Sequence, residues 1–286
     1  MEGKIPQKYK DRREEGETTL RQCQLVQLHL LHVFDRLCKE NGLQYLLEGG
    51  TLLGAMRHNG FIPWDDDLDV GMPRKDYEKF LKIAPAMLPA DILLHKPEMT
   101  PRTAIPFAKL RDMYSFYAEV RPDVATSDPH GIYVDIFPYD DMPKLGRKLE
   151  DLVSRACSCS WMRMKYFYNK CGTGVLSSVF FAFIGGFFHL VHKLVRFGVW
   201  MLNCIFSSEN YYLCLEYIDV FPYPRRQMFP AKTHVFEDDE FPIPGDADAI
   251  LTSQYGDWRE VPSPENRPRH ARIIDPFHSA DGRAFE

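Results

Sequence analysis

Residues 48–80 read EGGTLLGAMRHNGFIPWDDDLDVGMPRKDYEKF, and their order decides the fold. A short apolar run, Gln44 to Leu47, reads as a strand that ends at Gly49-Gly50, and Thr51 to His58 reads as a helix opening off that turn. Strand, glycine turn and helix place backbone N–H groups and a helix N-terminus where a phosphate could sit. Asn59-Gly60 is a turn, Leu68 to Met72 a strand, and Pro73 suits the first turn of a helix running to about Ala84. Between them, Asp65, Asp66, Asp67 and Asp69 put four carboxylates within five residues. Such a set repels itself strongly, and in a dehydrated pocket a cation is the simplest compensation. On an extended chain Asp65, Asp67 and Asp69 share one face, while Asp66 and Leu68 take the other. Two or three oxygen donors on one face suit a hard ion, Mg²⁺ or Mn²⁺, and offer nothing that selects zinc. A solvated acidic loop is the plain alternative.

Outward from this stretch, Leu20 to Cys38 repeats apolar residues at helical spacing, with Thr18 or Thr19 as cap and Asn41-Gly42 as stop. Ile92–His95, Phe107–Arg111, Ser115–Glu119 and Ile132–Phe137 read as strands. The last of these, within HGIYVDIFPYDDMP (130–143), places Asp135 alone among apolar residues, which is expensive unless its carboxylate faces a metal or a partner. From Lys144 to about Tyr217 the pattern turns helical and apolar, and Asp246 can cap a helix to about Tyr255. The expected class is α+β: a mixed sheet flanked by helices, with an apolar helical insertion. The expected divisions are a flexible N-terminus (1–17), a core (18–145), the apolar helical region (146–225) and a C-terminal part (226–286).

The 286 residues carry 35 Lys+Arg against 40 Asp+Glu, a formal charge of -5, which disfavours a dedicated nucleic-acid binder. Hydrophobic content of 45% and charged content of 26% are globular values. The seven cysteines are an odd set without CxxC spacing and read as reduced thiols of a cytoplasmic protein. The charged first residues, MEGKIPQKYKDRREEGE, contain no apolar signal-like core. Cys171 to His192 holds no charged residue, and the chain stays apolar to Phe206, with Arg163, Lys165, Tyr166, Lys170, Lys193, Arg196 and Trp200 around it. Residues 171–206 therefore have three readings: an element lying on the inner membrane surface, a membrane span, or buried core helices.

The run 48–80, with HGIYVDIFPYDDMP and YGDWREVP (255–262), resembles the LicD family, and through it the catalytic domains of fukutin and fukutin-related protein. The resemblance covers roughly residues 20–145 and 230–270. It implies a nucleotidyltransferase fold, whose hG[GS], Dh[DE]h and h[DE]h elements fall here on Gly49 and Gly50, on Asp67 and Asp69, and on Asp135. It implies a core of nucleotidyltransferase type in 18–145, with an active site completed from 226–286. The implied reaction moves a phospho-alcohol, such as phosphocholine or ribitol phosphate, from a CDP-alcohol to a hydroxyl of a glycan or lipid-linked glycan, with CMP leaving. Asp67 and Asp69 would hold Mg²⁺ (or Mn²⁺), Asp135 would complete the shell and take the proton of the attacking hydroxyl, and Asp65 would be a ligand or a neighbour of one. Gly49, Gly50 and Thr51 would bind the donor, with Lys109 and Arg111 reaching a phosphate from their strand. Arg57 closes the helix of the glycine turn, and Tyr255 and Trp258 would stack on the base or on an ammonium group.

Two other functions fit parts of the pattern. A glycosyltransferase also uses a DxD motif to hold a metal-bound nucleotide sugar, but the diglycine turn and the separate strand acid favour the first reading. An inactive nucleotidyltransferase-fold binding module or membrane adaptor is the other, and the presence of all three acids counts against it.

Overall fold

The computed structural model of the chain describes residues 10–99, 105–119, 130–143, 145–171, 174–206, 208–217 and 222–285. In chain order the elements are α1 (Thr19–Asn41), β1 (Leu46–Leu47), α2 (Gly49–His58), β2 (Asp69–Pro73), α3 (Arg74–Ile83), β3 (Ile92–His95), β4 (Ala108–Asp112), β5 (Phe116–Glu119), β6 (Tyr133–Pro143), α4 (Arg147–Lys170), α5 (Val175–Ile205), β7 (Ser208–Leu213), β8 (Pro222–Pro224), α6 (Arg225–Met228), β9 (Lys232–Phe236), β10 (Asp239–Ile243), α7 (Ala247–Tyr255) and β11 (Ala271–Asp275). The class is α+β, as expected. The chain divides into two compact units, one of Met1–His95, Ala108–Phe137 and Gln227–Glu286, the other of Lys96–Phe107 and Pro138–Arg226.

In the first unit the strand order is β1-β2-β6-β4-β3. β1 pairs antiparallel with β2, Leu47 opposite Val70, and β4 pairs antiparallel with β6, Lys109 opposite Asp135. Two further antiparallel pairs, β9 with β10 and β5 with β11, belong to the same unit. α1 forms where the apolar spacing predicts it: Thr18 Oγ1 accepts from the Arg21 N–H at 3.1 Å, and Gly42, with φ of 61°, closes the helix in the left-handed region that favours glycine. Its apolar face, including Val26, Leu30, Phe34 and Cys38, is buried, and it packs against β4 and β11. α3 buries only Tyr77 and Phe80 and lies along β2.

Four expectations need correction. Residues 1–9 of the expected flexible N-terminus lie outside the described residues, but Arg13 is buried, with Asp11 at 2.5 Å and Asp112 at 2.7 Å, because a buried guanidinium needs carboxylates around it. The helix after the glycine turn begins at Gly49 itself rather than at Thr51. β6 runs six residues past the expected end at Phe137, to Pro143, and those residues pair with β7. The acids 65–67 and Leu68 precede the strand, which begins at Asp69 rather than at Leu68.

The second unit pairs the far part of β6 with β7 (Tyr139 opposite Leu213) and β7 with β8. Region 146–225 is therefore not wholly helical. α4 and α5 form a hairpin that shares a small core of Met142, Cys157, Val199 and Leu215. Buried Asp140 accepts from Arg196 Nη1 at 2.9 Å and from the Leu215 N–H at 3.0 Å, which answers its charge. Only 6% of the most apolar 18-residue window of α5 is buried, so the reading of 171–206 as buried core helices fails.

Candidate active site

The site lies within the first unit and is built on the turn between β1 and α2. Gly49 has φ of 52°, a conformation costly for any residue with a Cβ. A Cβ there would stand 3.4 Å from Asp69 Oδ2, and one at Gly50 would stand 2.9 Å from Asp65 Oδ2. The two glycines thus let the acids approach the start of the helix. Two hydrogen bonds tie the turn to the acid strand: the Asp69 N–H donates to Thr51 Oγ1 at 2.8 Å, and the Glu48 N–H donates to Asp69 O at 3.1 Å.

The acids alternate as expected although the backbone there is not yet a strand. Asp65, Asp67 and Asp69 line a cleft of about 430 Å³ together with Gly49, Gly50 and His270. Asp66 turns the other way and is buried, accepting from the N–H groups of His270 at 3.1 Å and Ala271 at 2.9 Å. Arg57, Tyr255 and Trp258 form other parts of the cleft wall. Trp64 and Pro268 line both this cleft and a second hollow of about 380 Å³, which also holds Arg267, Arg269 and Arg272.

His270 is the cleft residue that sequence reading missed. Its Nδ1 lies 3.1 Å from Asp66 Oδ1, 3.2 Å from Asp67 Oδ2 and 3.9 Å from Asp65 Oδ1. It arrives from the C-terminal end because the next residue, Ala271, pairs with Glu119 across β11 and β5. The RPRH run (267–270) was the available signal, but no local spacing relates it to acids some 200 residues earlier. Asp65, Asp66 and His270 offer ligand atoms all within 4.8 Å of one another. The expected trio of Asp67, Asp69 and Asp135 makes no such group among the described residues.

The charges explain this arrangement. The hydrogen bond with Asp66, then the charges of Asp67 and Asp65, raise the His270 pKa to about 9, so it carries a positive charge among the acids. Burial, and then the charge of Asp67, push Asp65 up to about 8. Burial raises Asp67 as well, although His270 opposes it. Asp69 is raised well above the usual carboxylate range, by burial and by the charges of Asp67, Asp135, Asp65 and Glu48. Burial alone would raise Asp66, but its hydrogen bonds with His270 and Ala271 outweigh it and hold Asp66 below the usual carboxylate range. One imidazolium is too little positive charge for this many acids.

Asp135 differs from its expected place. It is buried and outside the cleft lining, with Lys109 Nζ 2.9 Å from its Oδ1, and the Asp135 N–H donates to Leu68 O at 2.9 Å. It bears on the cleft through its charge on Asp69. Lys109, expected at a phosphate, is also buried; it bridges Asp135 and Glu119 (3.0 Å) and sits 3.4 Å from the centre of the Tyr133 ring. Arg111 is buried too, donating to His95 Nδ1 at 3.0 Å and Gly131 O at 2.8 Å, away from the cleft lining. A strand bordered on both sides buries its basic residues, and these must then meet acids or carbonyls. Thr51 serves the Asp69 N–H rather than lining the cleft. Arg57 reaches the cleft but donates to Trp258 O at 3.1 Å and Glu260 O at 3.2 Å, which fastens the YGDW loop across α2. Trp258 is buried, with Arg259 over its ring at 4.3 Å, while Tyr255 is exposed.

Comparison with known proteins agrees with this geometry. Residues 42–153 match the family described as LicD/FKTN/FKRP, nucleotidyltransferase domain. The lipopolysaccharide cholinephosphotransferase LicD of Haemophilus influenzae is 27% identical over 270 residues, covering 88% of this chain and 96% of that protein. An uncharacterized protein of Rickettsia typhi is 51% identical over 49 residues, 17% of this chain and 16% of that one. Human ribitol 5-phosphate transferase FKRP is 57% identical over 35 residues, 12% of this chain and 7% of that protein. Diglycine turn, alternating acids and strand acid all fall inside residues 42–153, the segment that matches the LicD/FKTN/FKRP nucleotidyltransferase domain.

Proposed function

We propose that the chain transfers a phospho-alcohol, such as phosphocholine or ribitol phosphate, from a CDP-alcohol to a sugar hydroxyl of a glycan, releasing CMP, and that Mg²⁺ or Mn²⁺ is its cofactor. The observation that carries this reading is the convergence of Asp65, Asp67 and Asp69 on one cleft beside the diglycine start of α2. Similarity along most of the chain to a lipopolysaccharide cholinephosphotransferase supports it.

The donor set fits a hard divalent ion. It consists of carboxylate oxygens crowded until each holds protons more tightly than usual, with too little positive charge of its own. Asp67 and Asp69 would hold the ion, with Asp65 beside them. Such an ion, when bound, neutralises charge on a pyrophosphate and on the departing phosphate. In the transfer, the sugar oxygen forms a bond to the phosphorus that carries the alcohol. The bond from that phosphorus to the bridging oxygen breaks, CMP leaves with the electron pair, and the hydroxyl proton passes to a cleft carboxylate. N–H groups at the start of α2 would bind the diphosphate. Tyr255, exposed at the cleft, offers a ring to the base or the alcohol. The hollow holding Arg267, Arg269 and Arg272 suits an acceptor glycan that carries acidic groups.

A product assay tests this. Purified protein is given CDP-choline, CDP-ribitol or a nucleotide sugar, with a lipopolysaccharide acceptor, and products are identified by mass spectrometry. CMP and an acceptor heavier by one phospho-alcohol are expected, lost on chelation and restored by Mg²⁺ or Mn²⁺. Release of UDP and a heavier acceptor from the nucleotide sugar would make it a glycosyltransferase instead.

A further inference from the structure

α5 has two unlike faces. Its inner face packs on α4: Phe167 stacks on Phe188 with ring centres 5.7 Å apart, and Ser160 Oγ lies 3.3 Å from His192 Nδ1. A Cβ at Gly185 would meet the Tyr168 ring at 2.8 Å, so glycine permits the close approach. The outer face is bare. Eleven large apolar side chains of α5 are exposed among the described residues, with Leu176 at 88% and Phe183 at 78%. Leu176, Val179, Phe183, Phe187, Leu190 and Leu194 follow one another at steps of three and four, which makes a single stripe along the helix. Each such side chain left in water forgoes the free energy that burial of its apolar area would supply. A patch this size is far beyond the isolated apolar residues of an ordinary surface.

The charges say what covers it. From Arg147 to Ile205 the hairpin carries eight Lys and Arg against two acids, in a chain whose totals are 35 against 40. Arg147, Lys148, Arg155, Arg163, Lys170 and Lys193 are all exposed. A second copy of the hairpin would bring like charges together, whereas an anionic surface meets both the stripe and the charges. α5 is long enough to cross a bilayer, at about 46 Å for its 31 residues. Crossing would carry its inner face into hydrocarbon, with the Arg196–Asp140 pair at 2.9 Å, the His192–Glu216 pair at 3.4 Å and the charged α4 packed beside it. Lying flat leaves those groups on the water side.

We propose that the α4–α5 hairpin docks in the plane of an anionic lipid bilayer, with the Leu176-to-Ile205 stripe sunk to the boundary of headgroups and acyl chains and Lys193 at the lipid phosphates. This inference stands apart from the transfer reaction, since it uses none of the cleft residues.

The test is vesicle flotation of the full chain, with phosphatidylcholine alone and with phosphatidylcholine mixed with phosphatidylglycerol. Binding to the mixed vesicles is expected, weakened by salt, with a blue shift of tryptophan emission that Trp200→Phe removes. Phe183→Asp with Phe187→Asp, both on the exposed stripe, should reduce binding by about tenfold or more. Lys170→Glu with Lys193→Glu should reduce it by about fivefold for each charge removed. CMP release in solution should be unchanged in both, so a failure here is told apart from a failure of the transfer reading. Three results would overturn the proposal: no flotation with anionic vesicles, binding that resists alkaline carbonate extraction as a span does, or a lipid-free dimer that the Phe183/Phe187 pair of substitutions dissociates.

Discussion

Asp135 and Lys109 are the pair on which the rear of the site rests. Asp135 is the third motif acid, yet its carboxylate is buried at 2.9 Å from Lys109, which also holds Glu119. Burial raises Asp135 to about 6 even with Lys109 lowering it, so the carboxylate remains charged at neutral pH and adds to the field on Asp69. Lys109→Met would leave buried Asp135 and half-buried Glu119 without their cation and should cost about 3–5 kcal/mol of stability, read from urea unfolding. A loss below about 1 kcal/mol would mean that the pair does not carry this charge. Asp67→Asn and Asp69→Asn act differently. Both side chains line the cleft, so each should leave unfolding nearly unchanged and lower transfer by about a thousandfold, the equivalent of several kcal/mol of lost charge stabilisation. Wild-type turnover in Asp69→Asn would contradict the role given to it.

At the scale of elements, the start of α2 does two things with two glycines. Gly49 supplies a left-handed backbone, and Gly50 leaves room for Asp65 Oδ2. Ala is favoured over Gly within a helix by about 1 kcal/mol, so Gly50→Ala should hold or raise the melting temperature. Its methyl would nevertheless press on Asp65 and should lower transfer by about tenfold. A less stable but fully active variant would show that the glycine serves the helix rather than the acids. This element was legible in the sequence because its parts lie within about twenty residues: the strand, the diglycine turn and the facing of Asp65, Asp67 and Asp69 all follow from local spacing. The partners of Lys109 and Arg111 were not legible, because they depend on which strands flank β4, and the register that sets Lys109 opposite Asp135 joins positions 26 residues apart. His270 was harder still. It reaches the acids only through the pairing of β11 with β5. The apolar 171–206 segment showed its length in sequence, but which of its faces is covered depends on α4.

At the scale of the molecule, stability should carry the signature of a buried histidine. His95 is buried, and its Nδ1 accepts from Arg111, so the ring is neutral in the folded state. Burial, then the charges of Arg111 and Lys109, lower its pKa to about 3, against about 6.5 in an unfolded chain. Between those values the unfolded state binds the extra proton, so stability falls as pH drops from about 6.5 towards 3, by up to about 1.4 kcal/mol per pH unit from this group. His95→Gln, whose amide oxygen can still accept from Arg111, should flatten that part of the curve. Superimposable acid limbs for the two proteins would place the acid sensitivity elsewhere. The whole chain also agrees with its parts in charge: a formal -5 overall, acids gathered at the cleft, and bases gathered on the hairpin of the second unit. The most direct measurement is the initial rate of CMP formation from a CDP-alcohol and a lipopolysaccharide acceptor, with Mg²⁺ present, by the wild-type chain and by Asp69→Asn. Metal-dependent release by the wild type, reduced about a thousandfold in the variant, is expected; equal rates in the two proteins, or a wild-type rate indifferent to chelation, would contradict a cation-bearing acid cluster that splits a pyrophosphate.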